Sequence, residues 1–322
     1  MRWIFIGLVT VLSAAEQPSE WTKLVTQGDT FIRNGNSQDA LAPYTAALKL
    51  AAAFDPTDRR IAVISNKLAM TYHDLGRFRE ALPLYRRAMT VVERSLGKNS
   101  EEYTALLTNV AAICLMQNQY SKSEALVREA IAIDESMFPP ESLETAKARS
   151  MLANLFLQRN RLDEAANLLL QVVHAFENQP DNKRDLGVAL NNLGVVRRFQ
   201  KQLAESRRLL ETAVATITSD TGPGHPALAR PYNNLGSTYA DLGLRDLAEA
   251  AFRESVRIAE TRLGVQHPEC GVILHNYALF LKDTGRKSEA KTVEARSRSV
   301  LQESARRNGL GMTVDVSAFA GR

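Results

Sequence analysis

Residues 232–255 read YNNLGSTYADLGLRDLAEAAFRES. Apolar and small residues recur at three- and four-residue spacing on both sides of Gly243, so the stretch predicts two helices joined by a turn at that glycine. Gly236 is followed twelve positions later by a second small residue, Ala248, and seven beyond that by a third, Ser255. Small side chains let two antiparallel helices approach closely, and this spacing places all three at one crossing.

The triplet repeats along the chain. Its first members are Gly28, Ala69, Ala111, Ala153, Gly194, Gly236 and Ala278, at steps of 41, 42, 42, 41, 42 and 42. Its second members are Ala40, Ala81, Ser123, Ala165, Ser206, Ala248 and Ala290, and its third Ala47, Ala88, Ala130, Val172, Ala213, Ser255 and Ser297. A period in this range is the mark of a solenoid, in which each unit buries its apolar face only against its neighbours. Gly35, Gly76, Asn118, Asn160, Gly243 and Gly285 mark the turns between paired helices. Tyr72, Phe156, Tyr239 and Leu281, with Tyr44, Tyr85, Leu169, Leu210 and Phe252, supply the bulk of the packing face.

These residues resemble the tetratricopeptide repeat. The phrases LNNLGVV, YNNLGSTYADLG and TRLGVQHPE are similar to the long-helix, roughly 42-residue variant of kinesin light chains, against the usual 34. The expected fold is all-α: a right-handed α-solenoid of about seven helix-turn-helix repeats over residues 16–307. Pro231 falls inside a first helix, which is expected to start late or kink, and Pro43 and Pro83 fall near the first turn of second helices.

The chain has 322 residues, 45% of them apolar and only 7% aromatic, a composition that favours helices over a sandwich or barrel. Its start, MRWIFIGLVTVLSAAEQ, reads as a secretory signal over residues 1–15: Arg2, an uncharged run from Trp3 to Leu12, then Ser13, Ala14 and Ala15 before Glu16. That run is too short to span a bilayer, so no stable membrane span is expected after its removal. Residues 308–322 form a tail beyond the array. The expected location is exported, periplasmic or extracellular; if the start is not a signal, the alternative is a cytosolic adaptor. Cys114 and Cys270 lie four repeats apart, too far for a disulfide, so two free thiols are expected. The net charge of +4 is interspersed and forms no basic stripe with stacking aromatics, which argues against nucleic acid as a partner.

Counting the first small residue of each unit as position 8, positions 2, 5, 6, 9 and 13 share the helix face opposite the core. The family resemblance implies that this face lines a concave groove. Positions 5 and 6 are rich in asparagine: Asn66, Asn109, Asn191, Asn192, Asn233, Asn234 and Asn276. Asparagine both donates and accepts, so such a ladder can pair with an extended backbone; it can equally bridge neighbouring helices. Lys147, Arg198, Arg230 and Lys282 are the candidate charge partners for an acidic peptide group. The two His-Pro pairs, His225-Pro226 and His267-Pro268, recur 42 residues apart and read as loop punctuation, the histidine capping and the proline starting the next helix. No cofactor, metal or catalytic constellation is expected. The reading is an exported scaffold or adaptor, not an enzyme, that binds a protein or peptide segment; a self-associating envelope protein is the alternative.

Overall fold

The computed structural model describes residues 19–177 and 179–308; the expected leader at 1–15 and the tail from 309 onward lie outside them. Fourteen α-helices follow one another as seven hairpins among the described residues. They are α1 Glu20–Arg33 with α2 Ser37–Leu50, α3 Arg59–Asp74 with α4 Phe78–Ser95, α5 Glu101–Met116 with α6 Tyr120–Met137, and α7 Leu143–Gln158 with α8 Leu162–Glu177. The array continues with α9 Lys183–Phe199 and α10 Leu203–Thr221, α11 Ala229–Asp241 and α12 Arg245–Ile258, and α13 Pro268–Asp283 and α14 Lys287–Asn308. The solenoid expected from the small-residue period is the observed architecture.

The period reports the packing directly. The alanines of the triplets are buried throughout, as is Val172. A Cβ on Gly28 would come within 2.3 Å of the Tyr44 ring, one on Gly194 within 2.8 Å of Leu210, and one on Gly236 within 3.0 Å of Phe252. In these three hairpins the small residue of the first helix is thus the seat of the large residue sixteen positions later. Serines at small positions are satisfied without water: Ser123 Oγ donates to the Ala111 carbonyl at 2.9 Å, Ser255 to Ala229 at 2.6 Å and Ser297 to Gly271 at 2.7 Å. A hydroxyl at the crossing is therefore tolerated because the partner backbone accepts it.

Every expected turn residue adopts the left-handed conformation, with φ of 73° at Gly35, 66° at Gly76, 58° at Asn118, 56° at Asn160, 74° at Gly243 and 87° at Gly285. The fifth hairpin turns on Lys201, at φ 63°, which carries no turn signal of its own. Pro231 has the expected effect: a 3-10 turn, Pro226–Leu228, comes first and α11 runs for only 13 residues. Pro43 and Pro83 sit deeper than expected, in the second turns of α2 and α4. Arg197, charged where other repeats are apolar, is ion-paired with Glu205 at 3.1 Å and donates from Nη1 to Gln200 at 2.8 Å. Cys114 and Cys270 are free and buried; burial raises both thiols, Cys270 to about 11.

Neighbouring first helices touch from α3 to α13, whereas second helices mainly meet the first helices of their own and the next hairpin. The closer spacing of the first helices puts them on the inside of the curve, where the sequence places positions 2, 5, 6, 9 and 13.

Candidate functional site on the inner wall

The first helices meet in a fixed register. Asn109 Nδ2 donates to Asn66 Oδ1 at 3.3 Å, Asn234 Nδ2 to Asn191 Oδ1 at 2.9 Å and Asn276 Nδ2 to Asn233 Oδ1 at 3.2 Å. Each pair is 43 residues apart, one more than the repeat, so position 5 of one helix faces position 6 of the next. Within a helix, Asn191 donates to Asn192 at 3.0 Å and Asn233 to Asn234 at 3.4 Å. The amides therefore form one run, Asn276–Asn233–Asn234–Asn191–Asn192, across α13, α11 and α9, and a separate pair, Asn66–Asn109. Between them the ladder lapses because Thr108 bonds its own helix, at the Ala105 carbonyl, and position 6 of α7 is Met151.

Helix bridging is thus the first job of these side chains. Asn191 and Asn233 are only 3% and 5% exposed and Asn192 8%, while Asn66, Asn109, Asn234 and Asn276 are half-buried. Each bridging amide keeps a second N–H or lone pair. Among the described residues Asn192 Nδ2 has no protein acceptor and Asn276 Oδ1 no protein donor, so the run ends in unused groups at both sides.

The candidate cations divide into two kinds. Arg198 bonds Asp241 at 2.7 Å, and Arg230 bonds Glu269 through two contacts of 3.1 and 3.3 Å. Both charges are already matched by the next first helix, Arg198 in the same 43-residue register as the amides. Lys147 and Lys282 are exposed and make no ion pair among the described residues. A further cluster, not foreseen from sequence, lies at the first two hairpins: Asp29 accepts from Tyr44 at 2.5 Å and from Lys67 Nζ at 2.7 Å. Val63, Met70, Val188 and Leu279, at positions 2 and 9, are the exposed large apolar residues of this wall.

Where α3 ends, titratable groups gather. Burial, with Arg230 and His267 adding, holds His73 down at about 4. The Asp74 carboxyl keeps contact with water but is surrounded by protein, which pushes it up to about 6 against the pull of Arg184. His267, in the loop before α13, is also lowered by burial. Both histidines of the His-Pro pairs cap as expected: His225 Nδ1 accepts from Ala227 N at 3.2 Å and His267 Nδ1 from Glu269 N at 3.1 Å. No group of three His, Cys, Asp or Glu side chains that could hold a metal occurs among the described residues. No helix among them is long and apolar enough to cross a membrane.

Two tetratricopeptide repeat family profiles match the chain, one over residues 60–136, 185–261 and 232–303, the other over 25–89 and 117–183. The chain belongs to the tetratricopeptide repeat family. This tetratricopeptide repeat chain is 24% identical over 262 residues to protein kinesin light chain-related 2 of Arabidopsis thaliana, covering 80% of its own length and 39% of the relative's. It is 24% identical over 287 residues to kinesin light chain-related 3 of the same plant, covering 87% of itself and 44% of the relative. It thus spans less than half of either relative. The long-repeat, kinesin-light-chain-like form that the sequence resembles agrees with these relatives. In fold the chain is similar to the Rap conjugation gene regulator of plasmid pLS20, whose structure holds the Phr* peptide. The TM-score is 0.73 at 13% identity, over 96% of this chain and 83% of that one, a likeness of fold alone.

Proposed function

We propose that the chain is an exported, non-catalytic scaffold that holds an extended protein or peptide segment along its inner wall. The observation that carries the reading is the amide run on α9, α11 and α13, whose unused donors and acceptors suit a peptide backbone whatever its side chains. Lys147 and Lys282 supply charge for an acidic group, and Val63, Met70, Val188 and Leu279 supply apolar anchor points. That the Rap regulator was solved with a peptide bound is in keeping with this use of the fold. Export rests on the leader-like residues 1–15.

The test expresses the chain with its own start and screens the recovered protein against a random extended-peptide array. A product that leaves the cytoplasm, begins near Glu16 and captures peptides, with binding weakened by Lys147→Glu and Lys282→Glu, is expected. A product retaining Met1 in the cytoplasm removes the export half. A folded oligomer indifferent to every peptide removes the binding half and favours self-association.

A further inference from the structure

Only two of the seven hairpin turns are buried at their left-handed residue. Gly35 and Gly76 are enclosed, while Asn118, Asn160, Lys201, Gly243 and Gly285 are all exposed. What covers the two comes from far along the chain. A Cβ on Gly35 would lie 3.0 Å from the Pro226 ring, and one on Gly76 only 2.6 Å from Pro268 Cδ. Nothing lies within 4 Å of a Cβ on Gly243 or Gly285. The two contacts are in register: the turn of the first hairpin meets the loop that begins the sixth, and the turn of the second meets the loop that begins the seventh. Those are the two loops that carry His-Pro. The loops before α3, α5, α7 and α9 use Asp58, Ser100, Ser142 and Asn182 instead.

The second contact is also bonded. Within the α3–α4 turn Thr71, Tyr72 and His73 carbonyls are taken by Leu75, Arg77 and Gly76 N–H groups, which leaves the Asp74 carbonyl unused by the turn. His267 Nε2 lies 2.5 Å from it, across 193 residues. The tautomer follows from the cap. Because Nδ1 accepts the Glu269 N–H, the ring proton must sit on Nε2, which then donates to Asp74 O. One neutral imidazole therefore ties the start of α13 to the end of α3. α4 also touches α14.

The geometry points to a clasp: Gly35 and Gly76 on one side and the His225-Pro226 and His267-Pro268 loops on the other close the coil on itself, and opening this clasp controls access to the inner wall. The inference concerns the wall assigned above but needs no ligand for its test. Gly76→Asn adds bulk where Pro268 packs, yet keeps a residue type that already makes the same left-handed turn at Asn118 and Asn160. Gly243→Asn is the control, with the same backbone and open space around it.

Spin labels on R79C and Q266C, both exposed positions flanking the clasp, read its closure by pulsed dipolar spectroscopy. A cysteine at the half-buried inner-wall residue Ser150 reads access through its rate of reaction with a bulky maleimide, the native thiols being buried. The unsubstituted chain is expected to give one narrow, short distance. Gly76→Asn should move most of the population to longer distances and speed maleimide reaction at S150C several-fold, with Gly243→Asn changing neither. An unchanged distance in Gly76→Asn, or an equal change in Gly243→Asn, overturns the clasp. A longer distance with no change in the maleimide rate overturns its control of the wall. Either result leaves peptide binding to be judged by the array alone.

Discussion

Asn234 is held from both sides: its Nδ2 donates to Asn191 and its Oδ1 accepts from Asn233. Alanine there would leave two nearly buried amides short of a partner, at about 1–3 kcal/mol for each group that water cannot reach. Asn234→Ala should therefore lower the urea midpoint clearly, and Asn66→Ala, whose one bridge is half-exposed, should lower it less. Equal small shifts in the two variants would show that the run contributes nothing beyond an isolated pair. The asparagines were legible in the sequence as a ladder, but their partners were not chosen by it. The deciding signal was present, since Asn66/Asn109, Asn191/Asn234 and Asn233/Asn276 are each separated by 43 in a repeat of about 42. Its meaning depends on how far adjacent helices slide past one another, which no single helix encodes. The pairing of Arg230 with Glu269 was hidden for the same reason.

Within the hairpin, tolerance of a small residue is graded by what faces it. A Cβ on Gly28 would strike a Tyr44 ring that is buried and tied to Asp29, so it cannot swing clear. Gly28→Ala should lower the melting temperature despite the gain of about 1 kcal/mol in helix propensity, because overpacking costs about 1–3 kcal/mol. Gly236→Ala meets Phe252 at only 3.0 Å and should be close to neutral. Thermal denaturation of the two variants decides it, and a stabilised Gly28→Ala would refute the tight seat. The elements were the most legible part of the molecule, because triplet, turn glycine and large residue all repeat. The exception is instructive: Lys201 turns the fifth hairpin with no glycine or asparagine, held by the helices on either side rather than by its own preference.

The whole coil responds to acid through the groups around the clasp. A proton on His267 Nδ1 would remove the acceptor for the Glu269 N–H cap, while Nε2–H would go on donating to Asp74 O; α3 presents His73 and Asp74 to the clasp, α9 Arg184, α11 Arg230 and the histidine's own helix Glu269. A histidine lowered in the folded state binds fewer protons folded than unfolded. Its contribution is complete above the ordinary value of about 6.5 and is lost as pH falls toward the folded value, about 4 for His73. Asp74, raised to about 6, works the other way, taking up its proton more readily in the folded chain. Stability should thus decline between pH 6.5 and 4, and more steeply in Asp74→Asn, which lacks the opposing carboxyl. A shallower decline in Asp74→Asn would reverse the assignment. None of this was visible in the sequence: His-Pro identified a cap, but what the imidazole meets on its far side is set by the summed tilt of five hairpins.

That far contact also makes the chain a gauge of its own length. Pro226 finds Gly35 and Pro268 finds Gly76 only while the same count of units separates them. Losing one unit from the middle would bring Pro268 toward Gly35 and leave Gly76 bare, whereas loss at an end would spare one match or the other. Arrays of this kind usually gain and lose units freely, since each knows only its neighbour. Here two distant pairs fix the tally, and the spacing of glycine to His-Pro along the chain is its written record.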